Sequence, residues 1–342
     1  MNTVSLNRWQ RFYSIAFLFF VLGASIFTMF KSLKSGIAGI EDNFLGKARL
    51  IALFTRLRYS LGDRVFAQVL VEKDGWLEYS SSGNLDDYQN AYVSREGLES
   101  VHQKLDRLNE ELAQRGITLL VVVAPNKATI YPDKVPEQIV KLSPQSQLDV
   151  FLELMQETNS SYVVDLRPPL AEARRDHQVY YRTDSHWNSL GAYIAYREIM
   201  EALSRTYPDL QPYELDQFRW TETDPQPGDL SKIMGARFIR EPRNALLPKF
   251  NSMSELQSIS YPTMYASWAR NGQEKTLIMY HDSFGVVLQL FLQHHFKQAT
   301  YIFNSTETIE SKMPWIEEIK PDIVMIEVVE RSLLYLDVLL SD

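Results

Sequence analysis

The sequence predicts an α/β protein built on a mostly parallel, doubly wound sheet, and three observations carry that expectation. Five short, nearly continuous apolar runs lie at residues 117–124, 162–166, 276–280, 300–303 and 322–329. Such runs mark strands buried on both faces, as in parallel sheets. Helical patterns fall between them at 145–158, 189–206 and 284–296, and strands alternating with helices argue for parallel βαβ units. The chain has 342 residues, 45% hydrophobic and 23% charged. That is enough for a sizeable core, in one large domain with appendages or two modest ones.

Taken in order, the chain opens on residues 12–30, nineteen positions without a charge between Arg11 and Lys31. About 20 apolar residues at 1.5 Å per residue match a hydrocarbon core roughly 30 Å thick. A cleaved signal peptide would have a shorter apolar region followed by a small-x-small site. Thr28, Met29, Phe30 and Lys31 stand there instead, which favours an uncleaved anchor over residues 1–30. Arg8 and Arg11 are balanced by Lys31 and Lys34, so flanking charge barely orients the span. The short head favours an inside N-terminus. Residues 31–68 read as a stalk or juxtamembrane helix, with Phe44, Ile51, Phe54, Leu57 and Leu61 at loose helical spacing.

The domain proper then runs over 69–342. It opens on two short strands around Asp74-Gly75, a tight-turn pair. Ser94 starts an amphipathic helix with Leu98, Val101, Leu105, Leu108 and Leu112 on one face, and Gly116 stops it. Residues 224–274 lack clean periodicity and are rich in Pro, Asn and Ser. They are expected to be a loop-rich insertion serving the site.

Charge and composition exclude several functions. Lys and Arg total 35 against 43 acids, a net charge of −8, so nucleic acid is not an expected partner. Cysteine is absent, which removes thiol nucleophiles and zinc-finger clusters. Residues 31–342 keep 33 basic residues and all 43 acids, a net charge of −10. No histidine pair has convincing metal-ligand spacing, so neither metal nor cofactor is expected. His294 and His295 fall inside a helix, while His102 and His177 lie in charged, exposed-looking surroundings.

Ligands of α/β sheets collect at the carboxyl ends of strands, which directs attention to strand-to-helix junctions. Tyr280-His281-Asp282-Ser283-Phe284-Gly285 ends an apolar run and begins an apolar helix. Ser283 there could be a nucleophile on a sharp turn; alternatively, Asp282 or Ser283 only caps the helix. The other junction is Arg182-Thr183-Asp184-Ser185-His186-Trp187-Asn188-Ser189. Two residues apart, Asp184 can orient His186 and leave Nε2 as a base, or all three polar residues can be a capped loop with Asn188 as the cap. Together the two junctions supply nucleophile, base and orienting carboxylate.

These segments also resemble a known family. KDGWLEY near Trp76, ITLLVVVAPNKATIYPDKVP from Ile117, YVVDLRPPL from Tyr162, YYRTDSHWNSLGA from Tyr180, HDSFG from His281 and PDIVMIEVVER from Pro321 resemble the AlgJ/AlgX type of alginate O-acetyltransferase. The resemblance implies a circularly permuted SGNH-hydrolase-like domain, a three-layer sandwich preceded here by the transmembrane helix. It makes Ser283 the nucleophile, His186 the base and Asp184 its orienting residue. It further implies an extracytoplasmic domain held at the bacterial inner membrane, an exported polysaccharide as acceptor, and a membrane-bound O-acyltransferase as acetyl donor. Other polysaccharide synthesis and export proteins are the remaining implied partners. Two positions depart from the family pattern: His281 replaces a common glycine and Asn188 a frequent threonine.

Substrate contacts are expected from Arg182, Trp187, Tyr181 and Asn126. Arg182 or Asn126 could be a second oxyanion donor, although a structural ion pair is the favoured account of Arg182. Of Tyr180, Tyr181, Trp187, Trp220 and Trp268, about two are expected to line the site. An esterase using the same three residues, or a silent scaffold subunit, are the rival expectations.

Overall fold

The structure is a computed structural model and describes residues 47–81, 83–250, 254–260, 264–270, 272–303 and 313–340. The chain divides into two units, Met1–Gly62 and Asp63–Asp342. Of the first, the described part is essentially the helix Lys47–Ser60. The span expected at residues 12–30 lies outside the described residues, among which no helix is long and apolar enough to cross a membrane.

The second unit begins with an antiparallel pair, β1 (Val69–Val71) and β2 (Leu77–Tyr79). Asp74 and Gly75 turn the chain between them, both with positive φ. The helix Arg95–Gln114 follows, with the Ser94 side chain accepting from the Gly97 amide and Gly116 in the left-handed region. Leu98, Val101, Leu105, Leu108 and Leu112 are all buried on it, and so is His102. The expectation of an exposed His102 fails because it shares the helix face of Leu98 and Leu105.

The remaining strands are β3 (Thr118–Ala124), β4 (Val163–Asp165), β5 (Phe218–Glu222), β6 (Asn244–Pro248), β7 (Ser254–Ser260), β8 (Met264–Ala269), β9 (Gln273–His281), β10 (Phe296–Phe303) and β11 (Ile323–Val329). The main sheet runs β4-β3-β11-β9-β10-β8-β7. Its first five strands are parallel neighbours, and they are the five apolar runs of the sequence. β8 and β7 continue it as antiparallel strands, while β5 and β6 pair separately.

Segment 224–274 is therefore richer in structure than its composition suggested. It holds a short helix, Asp229–Ile233, together with β6, β7 and β8. These strands escaped notice because β7, SELQSIS, is at the sheet edge and half-polar, so no apolar run marks it.

Alternation along the central strands divides the core into two layers. Leu119, Val121 and Val123 of β3 join Val324 and Ile326 of β11 against the helices Arg95–Gln114 and Gln147–Glu157. Leu120, Val122 and Ala124 join Met325 and Met279 on the other face, under the helices Ser189–Ser204 and Gly285–Leu292. A sheet between two helical layers is a three-layer α/β sandwich. Each fully buried Leu, Val or Phe contributes about 1.5–3 kcal/mol, which favours the double-sided strands β3, β11 and β9 at the centre of the sheet. The carboxyl ends of β3, β9 and β11 then emerge side by side.

Candidate active site

Ser283 sits where β9 gives way to the helix Gly285–Leu292, and a half-buried lattice of hydrogen bonds holds its turn. Asp282 Oδ1 accepts from the Phe284 amide at 2.8 Å, and Oδ2 accepts from the Val329 amide at the end of β11, also 2.8 Å. The Asp282 amide donates to Glu327 Oε2 at 3.0 Å. Burial, and the Asp282 charge beside it, push the Glu327 carboxyl well above the usual range, so it is held protonated. A Cβ on Gly285 would come within 2.5 Å of His281 Cβ and 2.9 Å of Glu327 Oε2, so the turn has room only for glycine.

His281 does not face Ser283. Its buried ring donates from Nδ1 to the Asp282 carbonyl at 2.6 Å and accepts at Nε2 from the Gln289 amide at 2.8 Å. Burial lowers its pKa and keeps it neutral. The residue that replaces the usual glycine is thus packed under the helix, against Phe303.

The second segment was expected at a strand end, but it lies on a narrow loop outside the main sheet. Tyr180 and Trp187 form a lone antiparallel bridge, and the Tyr181 amide donates to the His186 carbonyl. Asn188 ends the loop as the cap of the helix Ser189–Ser204, accepting from the amides of Leu190 and Gly191. Buried Lys127 donates to the Asp184 carbonyl at 2.8 Å and to the Leu77 carbonyl. Glu241 accepts from the amides of Arg182 and Thr183 and from the Thr183 hydroxyl.

This scaffold brings three distant side chains into one line. His186 Nε2 is 2.8 Å from Ser283 Oγ, and Nδ1 donates to Asp184 Oδ1 at 2.8 Å. The other oxygen, Asp184 Oδ2, accepts from Arg243 at 2.6 Å and from the Asp229 amide at 3.0 Å. Burial of Asp184 opposes ionisation, but the hydrogen bonds from His186 and Arg243 outweigh it and hold the carboxyl far below the usual range. Burial of His186 favours the neutral ring, yet its bonds to Asp184 and Asp229 push its pKa up to about 9. The imidazole also packs on Phe284, ring centres 4.8 Å apart.

Of the expected substrate contacts, three are walls. Trp187 is 1% exposed and packs edge-on to Phe284. Tyr181 is buried beneath the Arg243 guanidinium, with its hydroxyl on Asn244. Asn126, fully buried, donates to Asp87 and accepts from Arg331, so it is engaged away from solvent. Arg182 is half-buried, and its guanidinium makes no ion pair among the described residues, contrary to the structural pairing expected. Tyr180 is buried with its hydroxyl on the Pro125 carbonyl. Trp220 and Trp268 are exposed on β5 and β8.

Sequence reasoning missed Asp229, Arg243, Glu241 and Lys127. The first three fall within 224–274, where irregular composition hid them; Gly228-Asp229 was the available signal. A Cβ at Gly228 would lie 2.0 Å from the Thr183 carbonyl oxygen, which is the close approach that calls for glycine. Asp184, His186 and Asp229 have ligand-type atoms within 4.8 Å of one another. Arg243 already supplies the cation on Asp184, and Ser185 occupies both oxygens of Asp229, so the cluster is assigned no metal.

With this geometry in view, the relatives can be compared. The chain is 26% identical over 207 residues to the probable alginate O-acetylase AlgJ of Pseudomonas syringae pv. tomato, covering 59% of this chain and 50% of that one. It is 27% identical over 186 residues to the probable alginate O-acetylase AlgJ of Pseudomonas fluorescens, covering 52% and 44%. The chain thus spans about half the length of these curated relatives. Its fold is similar to that of Bacillus cereus PatB1, with a TM-score of 0.58 at 16% identity over 78% of this chain and 96% of that one. A DHHW family protein from Eubacterium siraeum gives a TM-score of 0.55 at 15% identity, covering 79% and 93%. Residues 69–260, which carry Asp184, His186, Asp229 and Arg243 but precede Ser283, match the SGNH hydrolase-like domain, acetyltransferase AlgX, and the chain belongs to that family.

Proposed function

We propose that this protein is a serine-dependent O-acetyltransferase acting on hydroxyls of an exported polysaccharide. The observation that carries the proposal is the unbroken line Ser283 Oγ–His186–Asp184, with 2.8 Å at each link. Family membership and the alginate O-acetylases among the relatives support an acetyl group as cargo and a polysaccharide as acceptor.

In the first step Ser283 Oγ attacks the acetyl carbon of the donor as His186 Nε2 takes the hydroxyl proton. The donor's leaving group departs with that proton, and Ser283 is left acetylated. An acceptor hydroxyl then gives its proton to Nε2 and attacks the same carbon, and Ser283 leaves as it recovers the proton. Asp184 keeps Nδ1 protonated throughout and stabilises the imidazolium formed in each half. The Ser283 amide, at the start of the helix Gly285–Leu292, is the oxyanion donor this turn offers, and such a donor is typically worth about 3–4 kcal/mol. On this reading the domain works outside the cytoplasm, tethered by residues 1–30 and the segment 31–68. A membrane-bound O-acyltransferase supplies the acetyl groups.

The test is to give the protein an activated acetyl ester with and without an oligosaccharide. Acetylated oligosaccharide formed by the wild type and not by Ser283→Ala supports transfer. Acetate alone, at a rate the oligosaccharide leaves unchanged, overturns transfer in favour of hydrolysis. Polymer acetylation that survives Ser283→Ala overturns the serine chemistry.

A further inference from the structure

We propose that Asp229 is a second carboxylate of this site, a positioning residue that holds the Asp184–His186 segment in line with Ser283. The proposal deepens the transfer reading, since it assigns the support of the same imidazole.

Asp229 begins the helix Asp229–Ile233, 45 residues beyond Asp184 in the chain, and its amide and both carboxylate oxygens meet this loop. Its amide donates to Asp184 Oδ2 at 3.0 Å. Its Oδ1 accepts from the Ser185 amide at 2.8 Å, and its Oδ2 accepts from the Ser185 hydroxyl at 2.5 Å. The same Oδ2 lies 3.4 Å from His186 Nδ1. The residue between Asp184 and His186 is therefore clamped at both its main chain and its side chain.

The contact is built into the backbone and is not a chance meeting of long side chains. Gly228 brings the helix start onto the Thr183 carbonyl, and its amide donates to the Thr183 hydroxyl at 3.2 Å. The Ser231 amide donates to the same Thr183 carbonyl. A one-turn helix thus docks on the loop by three amides, with Asp229 at the centre of the contact.

The charged surroundings define what the carboxylate does. Around the imidazole stand Asp184 and Asp229 on the Nδ1 side, with Arg243 on Asp184 Oδ2 and Lys127 on the Asp184 carbonyl. Asp282 lies in the Ser283 turn with protonated Glu327 behind it, and Arg331 reaches over Phe284. Arg243 balances one of the two carboxylates nearest Nδ1, which leaves Asp229 as the added negative charge favouring the imidazolium.

Titration of His186 in histidine-labelled protein, followed by NMR, tests this beside pH profiles of kcat/KM with an activated acetyl ester. Asp229→Asn keeps an acceptor for the Ser185 amide but removes the charge. It is expected to lower the His186 midpoint from about 9 by about one pH unit and to move the rising limb of kcat/KM with it. Ser185→Ala releases Asp229 Oδ2 toward Nδ1, so its midpoint is expected to stay at or above that of the wild type, with kcat reduced. Asp229→Glu, restoring the charge, returns the midpoint toward that of the wild type. An Asp229→Asn midpoint equal to the wild type's, with activity scaled down equally at every pH, overturns the proposal. So does a fall of the same size in Ser185→Ala. The NMR midpoint is read without turnover, so it separates failure of this proposal from failure of the transfer reading.

Discussion

Two clusters in this domain join a histidine, an aspartate and hydroxyls, at opposite ends of the parallel part of the sheet. At the carboxyl ends, His186 uses one ring nitrogen for each neighbour, Nδ1 for Asp184 and Nε2 for Ser283. At the amino end of β4, His102 turns a single nitrogen, Nε2, to both the Thr158 hydroxyl at 2.9 Å and Asp106 at 3.4 Å. Asp106 meanwhile accepts from the hydroxyls of Tyr162 and Ser160. The residue types are nearly the same, but the topology is not. A relay needs the carboxylate and the hydroxyl on opposite nitrogens, so that a proton gained at one is balanced by charge at the other. The His102 cluster ties the helix Arg95–Gln114 to the segment that leads from the helix Gln147–Glu157 into β4, and those contacts form no such axis.

The difference can be broken by mutation, starting with the largest effect. Ser283→Ala or His186→Ala should lower turnover of an activated acetyl ester by up to ~10⁶-fold, measured as initial rate, with the fold intact by circular dichroism. The corresponding His102→Gln should leave that rate within about twofold. Next in size, Asp184→Asn should cost about 10⁴-fold in kcat, because an amide can leave the imidazole in the wrong tautomer. Asp106→Asn should show no comparable loss, and equal losses from the two would erase the distinction drawn here.

A pH profile sharpens the contrast further. Burial pulls His186 down and its two carboxylates overcome that, to about 9. The base must be neutral to accept the serine proton, so activity should rise with pH and level off above about 9. A profile already flat at pH 7 would count against the geometry.

A smaller effect concerns stability near the site. Burial holds Glu330 at about 7 and Glu72 at about 8, against an ordinary 4.5. These groups stay protonated in the fold while the unfolded chain ionises above 4.5. Their stability deficit is therefore absent below 4.5 and grows as pH rises to 7–8. Thermal melts should show Tm falling over that range, and Glu330→Gln should flatten the fall. The smallest effect is His102→Gln on stability, about 1 kcal/mol for one altered hydrogen bond, readable by denaturant titration.

How much of this was legible beforehand varied with the kind of signal. Strands β3 and β11 and the inner parts of β9 and β10 announced themselves because double-sided burial leaves no polar positions to interrupt a run, whereas β4, half-buried at the sheet edge, was legible from its short apolar run alone. Ser283, Asp184 and His186 could be singled out because each lies in a short polar stretch beside such a run or helix. Arg243 could not, and Asp229 was marked only by the glycine before it, since each lies in a segment without period where nothing local shows that it closes on residue 184. Trp187 and Tyr181 were misjudged for the converse reason. An aromatic beside a polar motif reads equally as a sugar platform or as packing, and here the Phe284 ring and the Arg243 guanidinium cover them.

Local order along the chain determined the alternation of strand and helix, the two-faced core and the candidate nucleophile and base, because periodicity and turn chemistry act over a few residues. The tertiary structure alone decided which nitrogen of which histidine meets a serine 97 positions away, and which carboxylates surround it. Those choices depend on strand order and on backbone contacts such as Gly228 against Thr183. They are long-range packing outcomes to which no short window of sequence is sensitive.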